Sequence, residues 1–469
     1  MLYNYCIDNL DKDEWLIKGI DFERINNILI QKIFESQKVL LIIDYVLIHA
    51  DEIGAWIKQL HIASQNNKNI VIRILLIERA HVIENRLPYW YIFLVKKHNN
   101  ESICKYENFL RMEDLEEENL KEIFKKYVIE MSKKEQNKSK HEIEEIERKC
   151  DQDIPTIFMQ IDSNCKSPLF ILYIAQAWME GGKKHIRNWD RDNLLNYIEK
   201  KEEKRLRTFF NGNYKKVEKL KKILCFSIAI SGIDLGGNIS KFIRKDIIDI
   251  REEIGAGYAT FTEALYDMGN YNDKEIRFES AMPEIVGEFF LLKHLKYHRD
   301  NHNKKYVKKF INAAWKQSPQ AFAGFLCRVV EDFYNHEMTS FDGILAMPSD
   351  MTFLQRRLYA DVVREYTYWN TGVKEYSEKV VESFNCLLKG CKDNTEQKII
   401  IDKYAVTLFN MLWNSSKRTG NIDSMDDIKY FHIFESMLQK LKDKWNDTFI
   451  NDVYKNAIAI IWEHNIIVG

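Results

Sequence analysis

Proline and glycine are scarce, with 6 and 18 in 469 residues. So few obligatory turns and breaks exclude a loop-rich chain and favour long helices. Long hydrophobic runs are missing too. The longest are about ten residues, against the roughly 18 to 20 needed to cross a bilayer, so no membrane is expected. The first residues, MLYNYCIDNLDKDEW, carry acids where a secretory signal needs a basic and then an apolar stretch. The 8 cysteines, Cys6, Cys104, Cys150, Cys165, Cys225, Cys327, Cys386 and Cys391, form no Cys-x-x-Cys pair and no regular spacing. Buried thiols in a reducing compartment follow, and the expected location is the cytoplasm. Charge of one sign is also lacking: 69 basic residues face 70 acidic ones, for a net charge of -1. No global field draws the chain toward nucleic acid, which is not an expected partner. A one-sided Lys/Arg stripe along residues 293 to 309, KHLKYHRDNHNKKYVKK, would be the sole support for one.

What is present reads as a globular protein, 45% hydrophobic and 30% charged. The length calls for about two to four packed units. Residues 39 to 48, VLLIIDYVLI, and 70 to 77, IVIRILLI, are short branched apolar runs of the kind buried on both faces of a parallel sheet. Between them ADEIGAWIKQLHIASQ sets Ile53, Trp56, Ile57 and Leu60 at helical spacing, which makes a βαβ unit. ICKYENFLRM is a candidate third strand. From Asp114 onward the period is helical: a charged stretch over 115 to 150, exposed in its second half, then a compact unit from Ile154 to about Phe210. An apolar helix follows over Leu220 to Leu235, and a turn or β wing at MGNYNDKEIRFES.

Beyond about Asn301 only helices are expected. AAWKQSPQAFAGFLCRVVEDF reads as one; LQRRLYADVVREYTYW and VKEYSEKVVESFNCLLKG read as an antiparallel pair joined at NTG; another pair spans SKRTGN. The fold class is therefore mostly α, with a partial parallel α/β sheet at the amino terminus. The expected domains are 1–112 (α/β), 113–212 (helical), 213–300 (winged-helix-like) and 301–469 (helical repeats).

The informative acid is Asp44, at the end of an apolar strand. Burying a carboxylate there is costly without a cation or donor, and ligands of open α/β sheets gather at the carboxyl ends of strands. A hydrophobic strand ending in Asp holds Mg²⁺ through a water in P-loop enzymes, and a strand-end Asp that caps the next turn is the plainer alternative. The second strand ends in Glu78 and Arg79 at the corresponding edge. A charged group there can sense a terminal phosphate, or simply form an ion pair. His298 and His302 are four apart and could share a helix face, but no carboxylate or cysteine set completes a metal site.

LLIIDY at 40 to 45, ADEIGAWIKQL at 50 to 60, IVIRILLIER at 70 to 79 and SPLFILYIAQAWMEG at 167 to 181 together resemble the STAND ATPases, the signal-transduction ATPases with numerous domains. The nearest resemblance is to bacterial members that serve in anti-phage defence. Weaker echoes are NLLNYIEKKEEKRL, PEIVGEFFLLKHL and AAWKQSPQAFAGFL, so the resemblance covers about residues 13 to 335. It implies ATP or ADP with Mg²⁺ as cofactors, Asp44 as the water-mediated Mg²⁺ acid, and Arg79 as the sensor-strand residue. Tyr45 and Glu78 join them in the nucleotide site, with Pro168 in the helical-domain proline motif. That motif departs from the family's Gly-x-Pro, reading Lys166, Ser167, Pro168, which favours a proline in the first helical turn.

No Gly-x-x-x-x-Gly-Lys-Ser/Thr occurs in the chain. The expectation is a fragment or split subunit that starts inside the ATPase domain, is inactive alone, and works with an upstream subunit carrying the phosphate loop. A protein partner or a second copy would dock on the helical regions. The alternative is a non-enzymatic interaction protein on a degenerate ATPase scaffold.

Overall fold

The structure, a computed structural model, describes residues 15–20, 38–44, 50–65, 70–77, 94–95, 98–100, 102–103, 115–134, 138–184, 186, 189–210, 212–234, 239–253, 269–272, 277–280, 282, 284–370, 373–401, 403–404, 407 and 411. In chain order the elements are β1 (Leu16–Ile20), β2 (Lys38–Asp44), α1 (Ala50–Gln65), β3 (Val71–Ile77), α2 (Glu117–Lys134), α3 (Lys140–Gln160), α4 (Pro168–Gly181), α5 (Arg191–Phe209) and α6 (Tyr214–Ala229). Then come β4 (Ile233–Asp234), α7 (Lys241–Glu253), β5 (Gly269–Asn272), β6 (Arg277–Ser280), α8 (Glu284–Asp300), α9 (Lys304–Gln317), α10 (Pro319–Phe333), α11 (Phe353–Trp369) and α12 (Val373–Lys389). The fold is mostly helical with a small parallel sheet at the amino terminus, as the apolar runs and the later helical period require. No helix among the described residues is long and apolar enough to cross a membrane.

Two compact units emerge. The first holds Met1–Phe109, Ala229–Phe242 and Leu295–Gly469; the second holds Leu110–Ile228 and Ile243–His294.

In the first unit β1, β2 and β3 lie in that order, all parallel. Central β2 is sealed, with Val39, Leu41 and Ile43 at 0% exposure, and α1 buries Ile53, Trp56, Ile57 and Leu60, the four residues at helical spacing. A buried amide also holds α1. The Asn100 side chain donates to the carbonyl of Gly54 at 2.8 Å and to that of Leu94 at 2.9 Å. A Cβ at Gly54 would stand 2.6 Å from the Leu94 carbonyl oxygen and 2.6 Å from the His98 ring. Gly54→Ala should therefore lower stability by roughly 1–3 kcal/mol from overpacking, although alanine is the better helix former by about 1 kcal/mol. A stabilised variant in urea unfolding would show that the 94–100 segment yields freely.

The helical part of the first unit corrects one expectation. AAWKQSPQAFAGFLCRVVEDF is two helices, α9 and α10, broken at Ser318. The residue before a proline is driven from helical backbone, and Ser318 sits at φ -148, ψ 86, with Pro319 opening α10. The pair over 353–389 is present as α11 and α12, with a Thr352/Gln355 capping box at the start of α11. The candidate strand over 103–112, apart from Ile103 in a turn, and the pair across SKRTGN lie outside the described residues.

In the second unit α2 buries Leu120, Phe124 and Val128, so the charged stretch is core-forming in its first half. Its later part is an exposed helix, as expected: α3 starts at a Ser139/Glu142 capping box. That helix runs through Pro155 where the sequence suggested a new unit near Ile154. The proline forfeits one backbone hydrogen bond, but Ile154, Ile157 and Phe158 are all buried around it. The expected wing is an antiparallel pair, Gly269 opposite Ser280 and Asn272 opposite Arg277.

Candidate functional site

Asp44 is the last residue of β2 and lies in register with Ile77, the last of β3. The two strands therefore end at the same level. This follows from sequence: each apolar run stops at a charged residue, and the parallel register carries both stops to one edge. Tyr45, Glu78 and Arg79 themselves lie outside the described residues, and Asp44 is placed by its strand register. At the opposite end of the sheet Trp15 receives Arg73 at 5.2 Å and Lys38 at 6.0 Å over its ring.

Pro168 belongs to the second unit. It is exposed at the first position of α4, where a proline's missing N–H costs nothing. Ser167 caps the helix by accepting from the Phe170 amide at 3.4 Å, and Lys166 pairs with Glu117 at 2.7 Å. The Lys166 hydrogen bond, helped by Lys121, holds the Glu117 carboxyl below its usual range. Lysine, serine and proline thus all have structural work at this helix start.

Among the described residues the buried thiols offer no nucleophile. Burial pushes Cys150 up to about 12 and Cys165 up to about 11. His298 and His302 do not share a helix face: α8 ends at Asp300, and His302 sits in the following turn at φ 61. His298 instead stacks on Tyr306 at 3.8 Å.

One ionic cluster escaped the sequence reading. In the first unit Asp361 of α11 accepts from Arg364 at 2.7 Å and from Lys403 at 2.5 Å, while Arg364 also reaches Glu365 at 3.2 Å. Only 14% of the Asp361 side chain and 6% of the Arg364 side chain are exposed. Burial raises the Asp361 pKa, but Lys403 and Arg364 outweigh it and hold the group below its ordinary value. Burial pushes Glu365 up, against the pull of Arg364. Lys403 lies 42 residues from Asp361 in sequence, and no local pattern could have linked them. The cluster ties α11 to Lys403, which is helical.

No protein-family model, curated protein or solved structure matches this chain.

Proposed function

We propose that the chain is a fragment or split subunit of a STAND-type regulatory ATPase, in which nucleotide at the sheet edge biases a switch read out by the helical regions. The observation that supports this reading is the shared end of β2 and β3. It sets Asp44 level with Ile77, the residue that precedes Glu78 in sequence, at the carboxyl edge where open parallel sheets take ligands. Asp44 would hold Mg²⁺ through a water, and Arg79 would meet the terminal phosphate. Bound ATP would supply the transferable phosphoryl group, while this chain's own residues bind and orient it. With no Gly-x-x-x-x-Gly-Lys-Ser/Thr in the sequence, the backbone cradle for the phosphates would be supplied by residues outside it, and turnover by these residues alone is not expected.

Titration of a fluorescent ATP analogue with and without Mg²⁺ tests the proposal. Asp44→Asn, close in shape, should abolish most of the Mg²⁺-dependent gain in affinity and leave the Mg²⁺-independent part. An unchanged Mg²⁺ increment removes Asp44 from the site. Absence of any nucleotide binding, with or without a supplied phosphate-loop subunit, favours the non-enzymatic interaction protein.

A further inference from the structure

Of the basic stretch over 293 to 309 that the sequence made a condition for nucleic-acid binding, the part over 304 to 309 forms a one-sided stripe on α9. Lys304 and Lys305 open that helix behind the Asn303 cap, and Lys308 and Lys309 follow one turn later. All four are exposed, whereas Val307, Phe310 and Ile311 face inward. None of the four makes an ion pair among the described residues.

Local electrostatics oppose this arrangement. A first helical turn favours carboxylates over cations, and this one has no acid. Lys304 with Lys308, and Lys305 with Lys309, are like charges one turn apart, which destabilises a helix. Several lysines of neighbouring helices are neutralised instead. On α5 and α6 Lys201 is held by Glu180, Lys219 by Asp249, Lys221 by Glu203 and Lys222 by Asp246. At the end of α8 both Lys296 and Arg299 are held by Glu337. The α9 face thus carries positive charge that no acid among the described residues pairs.

A run of aromatic rings leads from the end of α8 to α9. Tyr297 is 50% exposed at the end of α8. Its ring meets His298 at 5.5 Å, and His298 stacks on Tyr306, which lies between Lys305 and Lys308. Regularly spaced lysines beside an exposed ring match the two needs of a single strand, charge for its phosphates and a platform for a base. An anionic bilayer would instead call for apolar residues to insert, and the outward positions of α9 are lysine.

We infer that the lysine face of α9, bordered by Tyr297, binds single-stranded nucleic acid. The lysines take backbone phosphates and Tyr297 stacks a base. This binding does not depend on nucleotide at the sheet edge, so either reading can fail alone.

The test is fluorescence anisotropy of the full chain with a labelled mixed-sequence DNA strand of about 20 nucleotides, across a range of salt. With four phosphates engaged, replacing all four lysines by glutamine should flatten the slope of log affinity against log salt by roughly 3 and weaken low-salt binding more than about tenfold. Tyr297→Ala should weaken binding several-fold and leave the slope unchanged. The four-fold variant should melt no lower than the wild type, since it relieves repulsion. Should it misfold, Lys305→Gln/Lys309→Gln, expected to lose about half the slope change, decides the matter. Wild-type affinity and slope in the folded variants overturn the inference. So does failure of the wild type to bind the strand, including the case in which it binds phosphatidylserine vesicles instead.

Discussion

Phe124→Ala is expected to destabilise the α2–α4 core by about 3–5 kcal/mol. Phe124 is fully buried and meets two other rings edge-on, Phe158 at 6.4 Å and Trp178 at 6.1 Å. Its removal deletes the group on which α2, α3 and α4 converge, and edge-to-face pairs add to the area term. The Trp178 indole is fixed independently by its hydrogen bond to Asp153 at 3.1 Å. It cannot swing into the vacated volume without losing that bond, so the cavity should persist. Hydrogen exchange resolved to peptides over 117–134 and 168–181 should show protection falling together in both. Phe124→Leu, which conserves most of the volume, should cost well under half as much. Equal exchange in wild type and Phe124→Ala would mean that the three helices do not depend on this ring.

Asp361→Ala is the second large effect, expected to cost about 3 kcal/mol, the lower end of the range for a broken buried pair because the site retains some exposure. The substitution removes the carboxylate that Arg364 and Lys403 share, and both cations stay in a largely dry site. Replacing Asp361 and Lys403 together by apolar residues should recover much of the loss, because a buried pair roughly balances its own desolvation. The pH dependence has a defined sign. The folded pKa of Asp361 is lowered, so its contribution is present above the unfolded value, about 3.9, and is lost as pH falls through the folded value. Wild type and Asp361→Ala should therefore converge in stability on acidification below about pH 4. A constant gap between the two across that range would show that the carboxylate is not ionised in the folded chain.

The sheet and the helical periodicity were readable because each rests on local pattern. VLLIID and IVIRILLI are unbroken apolar runs, and their parallel pairing follows from the helix between them. The α9–α10 break was also encoded, in the Ser318–Pro319 step, yet the continuous apolar pattern on both sides masked it. Pro155 misleads in the other direction, since three buried neighbours carry α3 through it. The proposed nucleotide edge was legible only as far as the two strand ends. The Asn100 clamp on Gly54 and the Asp361–Lys403 pair were not legible at all, because each joins positions that become neighbours only after the helices pack. The lysines of α9 were visible as composition. Their one-sidedness and lack of acidic partners needed the helix.

The face of α9 also bears on how this chain could change over generations. Lysine at its first two positions works against the helix it begins, so random substitution there should often yield a sturdier molecule. A laboratory selection for heat resistance alone would strip those four positions of charge early. Natural sequences kept under pressure for the inferred binding would hold them basic at the expense of melting temperature, and drift at this one helix would separate the two histories.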